Sequence, residues 1–191
     1  LRTRLLTSSV IVFSTVCVTL IGCSGSGGSD SGFFSGRATF PPQLQTGADL
    51  EAVKNTDFDV LDLNLPADVG VVASGRTDEV GDFGISIDRT TAIAIVVKGQ
   101  VRVSGLFPAD DGDFEKNLDG TTDVACEAGV TAVYDGSIRD EDLTLERINN
   151  LEAGAAVVVA TQGVDYTDPA SVTVAAVAVR ALTDDGAHLP S

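Results

Sequence analysis

The spacing of apolar residues changes near residue 107, and that change limits the chain to a fold with two kinds of structure. Before it, apolar and polar residues alternate. Phe58 and Val60 alternate with Asp57 and Asp59. After a shift of one position, which predicts a bulge, Leu61, Leu63 and Leu65 alternate with Asp62 and Asn64. Phe83, Ile85 and Ile87 alternate with Gly84, Ser86 and Asp88. A period of two marks strands with one buried face. Ala92 to Val97 is apolar at every position and predicts a central strand, covered on both sides. Pro66 to Gly70 and Gly99-Gln100 supply turns. Short strands at this spacing predict a β-sandwich over residues 33–107.

Beyond the change, residues 108–191 read as an acidic linker followed by helices. Cys126, Val130 and Val133 fall on one helical face, and Asp135-Gly136 ends that helix. A second helix starts near Asp140, with Leu145, Ile148, Leu151 and Ala155 as its stripe, and runs to Gln162-Gly163. A third starts at Asp168-Pro169, an N-cap followed by Pro at the first helical position. Val172-Thr173-Val174 in it would also suit a strand. Its apolar surround places it at the centre of a small helical bundle. The expected fold class is α+β, a sandwich followed by that bundle.

The first 32 residues are of another kind. Arg2 and Arg4 precede an apolar run from Leu5 to Leu20, and Leu20-Ile21-Gly22-Cys23 closes it. This arrangement resembles a bacterial lipobox. The resemblance implies a signal peptide over 1–22, cleavage before Cys23, and lipid on the Cys23 thiol. The run is diluted by serines and threonines and is shorter than the roughly 20 residues of a membrane span. Two or more acyl chains would hold the chain at a membrane, where one alone binds marginally. Residues 23–32 are rich in Ser and Gly and read as a flexible tether. The expected location is the cell envelope, lipid-anchored, and the outer membrane in a Gram-negative cell, because Ser24 follows the cysteine.

Charge excludes one class of partner. The chain has 28 Asp and Glu against 12 Lys and Arg, a net charge of −16. Phosphate backbones need a basic patch, so nucleic acid is not an expected partner. On the lipobox resemblance, Cys17 would leave with the signal peptide and Cys23 would carry lipid. Cys126 is then left without a disulfide partner, and the fold must rest on its core.

A second resemblance lies within the alternating region. Gly36-Arg37-Ala38-Thr39-Phe40, Thr46-Gly47-Ala48-Asp49-Leu50 and the segment Gly75 to Ile85 look like the carboxypeptidase regulatory-like domain. Thr77-Asp78, Gly81 and Phe83 carry the match: a strand ending in Thr-Asp, a turn with Gly, then an aromatic starting the next strand. The resemblance implies a transthyretin-like sandwich and a non-catalytic accessory module. Asp88-Arg89-Thr90-Thr91 departs from the family, which commonly has a Pro-Gly turn before a Tyr. Gly81 is expected to take the positive φ of a hairpin turn, and Phe83 to enter the core.

The chemistry-bearing residues concentrate between the two regions. Asp110, Asp111, Asp113, Glu115, Asn117, Asp119 and Asp123 offer oxygen ligands at intervals that suit calcium. Set against an EF-hand, Glu115, Asn117, Asp119 and Gly120 take positions one, three, five and six, and Asp123 position nine. Position twelve is Cys126 rather than a bidentate Glu, so an acidic linker whose Asp or Thr caps the next helix is the simpler reading. No cofactor is required, and calcium is the one candidate. The lone histidine, His188, lies in the C-terminal tail, and no Cys/His cluster or phosphate loop is present. No catalytic residue is assigned, and Cys126 reads as a buried structural thiol.

The functional expectation is a membrane-anchored envelope lipoprotein that acts as a non-catalytic binding or structural module. Its partners are the membrane, through Cys23, and an envelope protein or glycan. One alternative is a calcium-dependent adhesion or assembly module. Another is an accessory unit of a hydrolase system, which needs two carboxylates about 5–10 Å apart in a cleft.

Overall fold

The computed structural model describes residues 31–45, 51–88, 91–109 and 112–184. Among the described residues, seven strands and three α-helices follow one another: β1 (Ser31–Arg37), β2 (Asp57–Asp62), β3 (Val71–Arg76), β4 (Asp82–Asp88), β5 (Ile93–Lys98), β6 (Arg102–Phe107), β7 (Phe114–Glu115), α1 (Gly120–Tyr134), α2 (Leu145–Gln162) and α3 (Pro169–Asp184). The α+β expectation holds. The strands form two sheets, ordered β4-β1-β7 and β3-β2-β5-β6. All pairings are antiparallel except that of β1 with β7.

The alternation read from sequence maps onto these layers. Ile93, Ile95 and Val97 of β5 point into the space between the sheets, with Phe34, Phe58, Phe83, Val103 and Phe107. Phe34 meets Phe107 edge-on at 5.3 Å and Phe58 meets Phe83 at 5.9 Å, the T-shaped contacts that aromatic quadrupoles favour. Ala94 and Leu106 face the other way, into a second core shared with Val124, Leu151 and Val179 of the helices. β5 lies between β2 and β6, and its two faces are covered by these two cores, as a continuous apolar run requires. The bulge expected in the second strand is present, as a register shift between Val60 and Leu61.

The helices therefore form a third layer on the larger sheet. α1 packs directly on β6, and α2 and α3 pack on α1. Gly129 allows this approach, because a Cβ there would come within 2.5 Å of Leu106 Cδ1. α1, not α3, is the central helix. An apolar surround records how much of a helix could be covered, but not which neighbour covers it.

Local signals set the helix ends. Asp119 caps α1, accepting the N–H groups of Thr121 and Thr122 on Oδ1 at 2.8 and 3.0 Å, while Thr122 Oγ1 accepts the Asp119 N–H at 2.8 Å. α1 thus begins at Gly120. Residues near Asp140 form a short 3₁₀ turn, and α2 starts later, where Thr144 Oγ1 accepts the Arg147 N–H. Asp168 caps α3 through the Ala170 N–H at 3.0 Å, and 172–174 are helical.

Three sequence expectations meet a different arrangement. The segment Thr77 to Gly81 is an arch between sheets, since β3 lies in one sheet and β4 in the other. Its local chemistry is as expected. Gly81 has φ +84°, Asp78 Oδ1 accepts the N–H groups of Val80 and Asp82, and Phe83 is buried. Phe83 enters the inter-sheet core from the sheet opposite Phe58, which a hairpin within one sheet would not allow. Ser31 and Gly32, read as the end of a tether, begin β1. Part of the acidic linker is a strand, β7, at the edge of the smaller sheet. The signal peptide, Cys23 and most of the tether lie outside the described residues.

Candidate functional site

The fold gives several members of the acidic segment separate tasks. Asp113 Oδ1 accepts the Phe33 N–H at 3.0 Å. Asn117 Oδ1 accepts the Arg37 N–H at 3.0 Å. These two side chains flank the short β7 and satisfy β1 donors that a longer strand would have satisfied with its carbonyls. Lys116 and Leu118 donate their N–H groups to Ser35 and Arg37 carbonyls at 2.9 and 2.8 Å. Asp119 is the cap of α1, and Asp123 is buried one turn later. Glu115 is exposed, and Asp110 and Asp111 lie outside the described residues. Among the described residues, no group of three or more His, Cys, Asp or Glu is placed to hold a metal ion.

This geometry makes calcium binding testable. A specific site stabilises a fold by about 2.7 kcal/mol at a hundredfold excess of ligand over Kd. Thermal unfolding with millimolar calcium or with chelator, at matched ionic strength, is expected to give the same midpoint. A calcium-specific rise that Asp119→Ala abolishes and magnesium does not reproduce would favour the calcium-dependent adhesion module.

A denser polar cluster lies between β6 and α1. Arg102 and Ser104 are two apart on one face of β6, and Asp123, Cys126 and Glu127 lie within one turn or so of α1. Ser104 Oγ donates to Asp123 Oδ1 at 2.6 Å, and Arg102 Nε donates to the same oxygen at 3.1 Å. The other arm of Arg102 reaches Glu127 Oε2 at 2.8 Å. Asp123 is 1% exposed. Burial pushes its carboxyl up from the ordinary range, opposed by the Arg102 charge and the Ser104 hydroxyl. Burial pushes the neighbouring Cys126 thiol up to about 12.

These values decide what the seam can do. A cysteine attacks as the thiolate, which burial here suppresses. Ser104 already donates its proton to a carboxylate that is itself committed to a guanidinium. The seam is an ionic tie between sheet and helix, with its carboxylate at Asp123 buried and its guanidinium reaching the surface. Lys116 makes a second tie, donating to the Leu106 carbonyl at 2.9 Å and Glu152 Oε1 at 2.6 Å. The sequence offered Asp123 as a candidate calcium ligand beside the simpler reading of an acidic linker, and gave Arg102, Ser104 and Glu127 no role. Their i,i+2 and i,i+4 spacings were visible, but not that β6 and α1 face each other.

Another pair lies at the edge of the smaller sheet. A groove of about 340 Å³ runs past Ser35, Arg37, Asp82, Glu115 and Asn117. Arg37 Nε donates to Asp82 Oδ1 in it at 2.6 Å, which neutralises its cation. No helix among the described residues is long and apolar enough to cross a membrane.

No family model matches the chain, and no curated protein matches it. Among solved structures, a double mutant of the shaft pilin SpaA from Lactobacillus rhamnosus GG aligns at 10% identity over 47% of this chain and 49% of that one, with a TM-score of 0.34. A single mutant of the same pilin aligns at 11% identity over the same shares, with a TM-score of 0.33. The structure of S.CueP aligns at 15% identity over 47% of this chain and 62% of that one, with a TM-score of 0.29. The alignments span about half of the pilin's length. The functional reading therefore rests on the residues themselves.

Proposed function

We propose that this chain is a lipid-anchored envelope protein whose sandwich and helical layer serve as a non-catalytic binding or structural module. The observation that carries the reading is the β6–α1 seam. The residues there with reactive side chains, Ser104, Asp123 and Cys126, are buried at 2% exposure or less, and Ser104 and Asp123 are bonded to each other. They hold two layers together and present nothing to a substrate. The anchor follows from Leu20-Ile21-Gly22-Cys23 behind its apolar run. With Ser31 opening β1, the stretch from Cys23 to Asp30 would tether the folded part close to the bilayer. An envelope protein or glycan is the partner class that a strongly acidic surface without a basic patch leaves open.

The anchor is tested by labelling. In bacteria fed a labelled fatty acid, the full chain should take up label and lose its first 22 residues. Cys23→Ala should give an unprocessed precursor with no label. Undiminished labelling of that variant would overturn the assignment.

A further inference from the structure

Helix α3 carries two apolar stripes, and the fold uses one. Val172, Ala175, Ala176 and Val179 are buried in the helical layer. On the opposite side, Ala170, Val174, Val177 and Ala181 are exposed, Val174 at 66% and Val177 at 59%. Their spacing of four, three and four is that of a helix-pairing seam. A surface helix ordinarily carries one apolar stripe and turns a polar face to water.

The surroundings are equally unusual for this chain. Residues 153–162 of α2 and 169–179 of α3 contain no Asp, Glu, Lys or Arg, in a sequence with 40 charged residues, 12 basic and 28 acidic. Val157 of α2 adds a further valine at 43% exposure. A bilayer is a poor occupant. Helices that lie in a membrane interface bring bulky apolar residues and free basic side chains. This stripe is Ala and Val, and the one basic residue of α3, Arg180, is bonded to Asp135 Oδ2 at 2.7 Å and to Ser137 Oγ at 2.8 Å.

We propose that a second copy of this chain covers the stripe, with α3 packed antiparallel on α3 across a two-fold axis. The sequence of the stripe is its own complement in that arrangement. With the axis midway between Val174 and Val177, Val174 of one copy faces Val177 of the other, and Ala170 faces Ala181. Such self-matching is what an isologous interface requires. Charge supports the same partner. Two copies at −16 each repel over their acidic surfaces, and an uncharged face lets them meet without opposing carboxylates. The alanines at both ends allow close approach. The stripe spans about 17 Å at 1.5 Å per residue. That is smaller than a standard interface of roughly 800 Å² per partner. Pairing is therefore weak in dilute solution and is favoured where copies are concentrated on one membrane. This names a partner for the module proposed above, and it fails separately, since fatty-acid labelling reads the anchor and cross-linking reads the pairing.

Cross-linking in cells tests it at the protein's own local concentration. Two full-length variants, Ala170→Cys and Ala181→Cys, carry different epitope tags and are oxidised with copper phenanthroline. Residue 170 lies about 17 Å from its own symmetry mate, beyond the roughly 7 Å that a disulfide spans. A species of twice the mass bearing both tags is expected only when the variants are made together. Adding Val174→Glu and Val177→Glu to both chains should abolish it. Absence of the mixed species would overturn the proposal, as would equal linking in cells making either variant alone. Linking to a species of another mass would assign the face to a different protein. Protection of both cysteines from a thiol reagent without any mass shift would assign it to a segment of the same chain or to lipid.

Discussion

Denaturing this protein is expected to speed the reaction of Cys126 with a maleimide at pH 8 about a thousandfold. The folded thiol is pushed up to about 12 by burial between β6 and α1. At that value about one molecule in ten thousand carries a thiolate at pH 8, against roughly one in four for an unperturbed cysteine. The neighbouring Asp123 adds to the shift, while the Ser104 hydroxyl and the Arg102 charge oppose it and fall short of offsetting the burial. The side chain is also 2% exposed, so the reagent must wait for the seam to open. Mass spectrometry of the peptide containing Cys126 isolates this thiol from Cys17 and Cys23. Rapid modification in the native state would mean an accessible thiolate. It would overturn the non-catalytic reading, because the seam would then hold a working nucleophile beside a carboxylate.

What the sequence could and could not reveal follows from what periodicity measures. Alternation records which side chains are covered, and the covered residues of β2, β4 and β5 were legible for that reason. So were the bulge at Val60/Leu61 and the central place of β5. Capping chemistry is local, so Asp168-Pro169 marked the start of α3 and Asp135-Gly136 the end of α1. Facing is not local. Phe83 signals burial equally well from either sheet, and so the arch at Thr77 to Gly81 read as a hairpin. β7 is two residues long and is completed by the side chains of Asp113 and Asn117, which leaves no period to detect. In the acidic segment, too, only part of the arrangement is local. Oxygen atoms at regular intervals are visible in a sequence, but the backbone N–H groups that Asp113 and Asn117 accept come from β1, 80 residues away. Asp123 was visible as a carboxylate, and its value to the fold depends on Arg102 and Ser104 across the layer boundary.

Replacing Gly36 with alanine should be among the most damaging single substitutions in the fold, and its effect measures how rigid that boundary is. A Cβ at Gly36 would lie 1.8 Å from the Lys116 carbonyl oxygen and 3.1 Å from Phe83 Cζ. The first obstacle is backbone, and it is held in place from several directions. The Lys116 N–H is bonded to the Ser35 carbonyl at 2.9 Å, and its ammonium spans the Leu106 carbonyl and Glu152. Asn117 beside it holds the Arg37 N–H. Retreat of this segment would break the β1–β7 pairing and loosen the tie to α2. Overpacking costs about 1–3 kcal/mol and each lost buried hydrogen bond about 1 kcal/mol more. The expected loss is therefore about 3 kcal/mol or more, which lowers the melting temperature by about 10 °C in a domain of this size. Gly136→Ala is the matched comparison. Gly136 has φ +75° and no atom within 4 Å of an added Cβ, so only backbone strain is at stake. That strain costs about 1–2 kcal/mol. Circular dichroism melts of both variants separate the two effects. A drop for Gly36→Ala no larger than that for Gly136→Ala would show that the Lys116 segment yields freely, and that β7 is an incidental edge rather than the clasp that joins the smaller sheet to the helical layer.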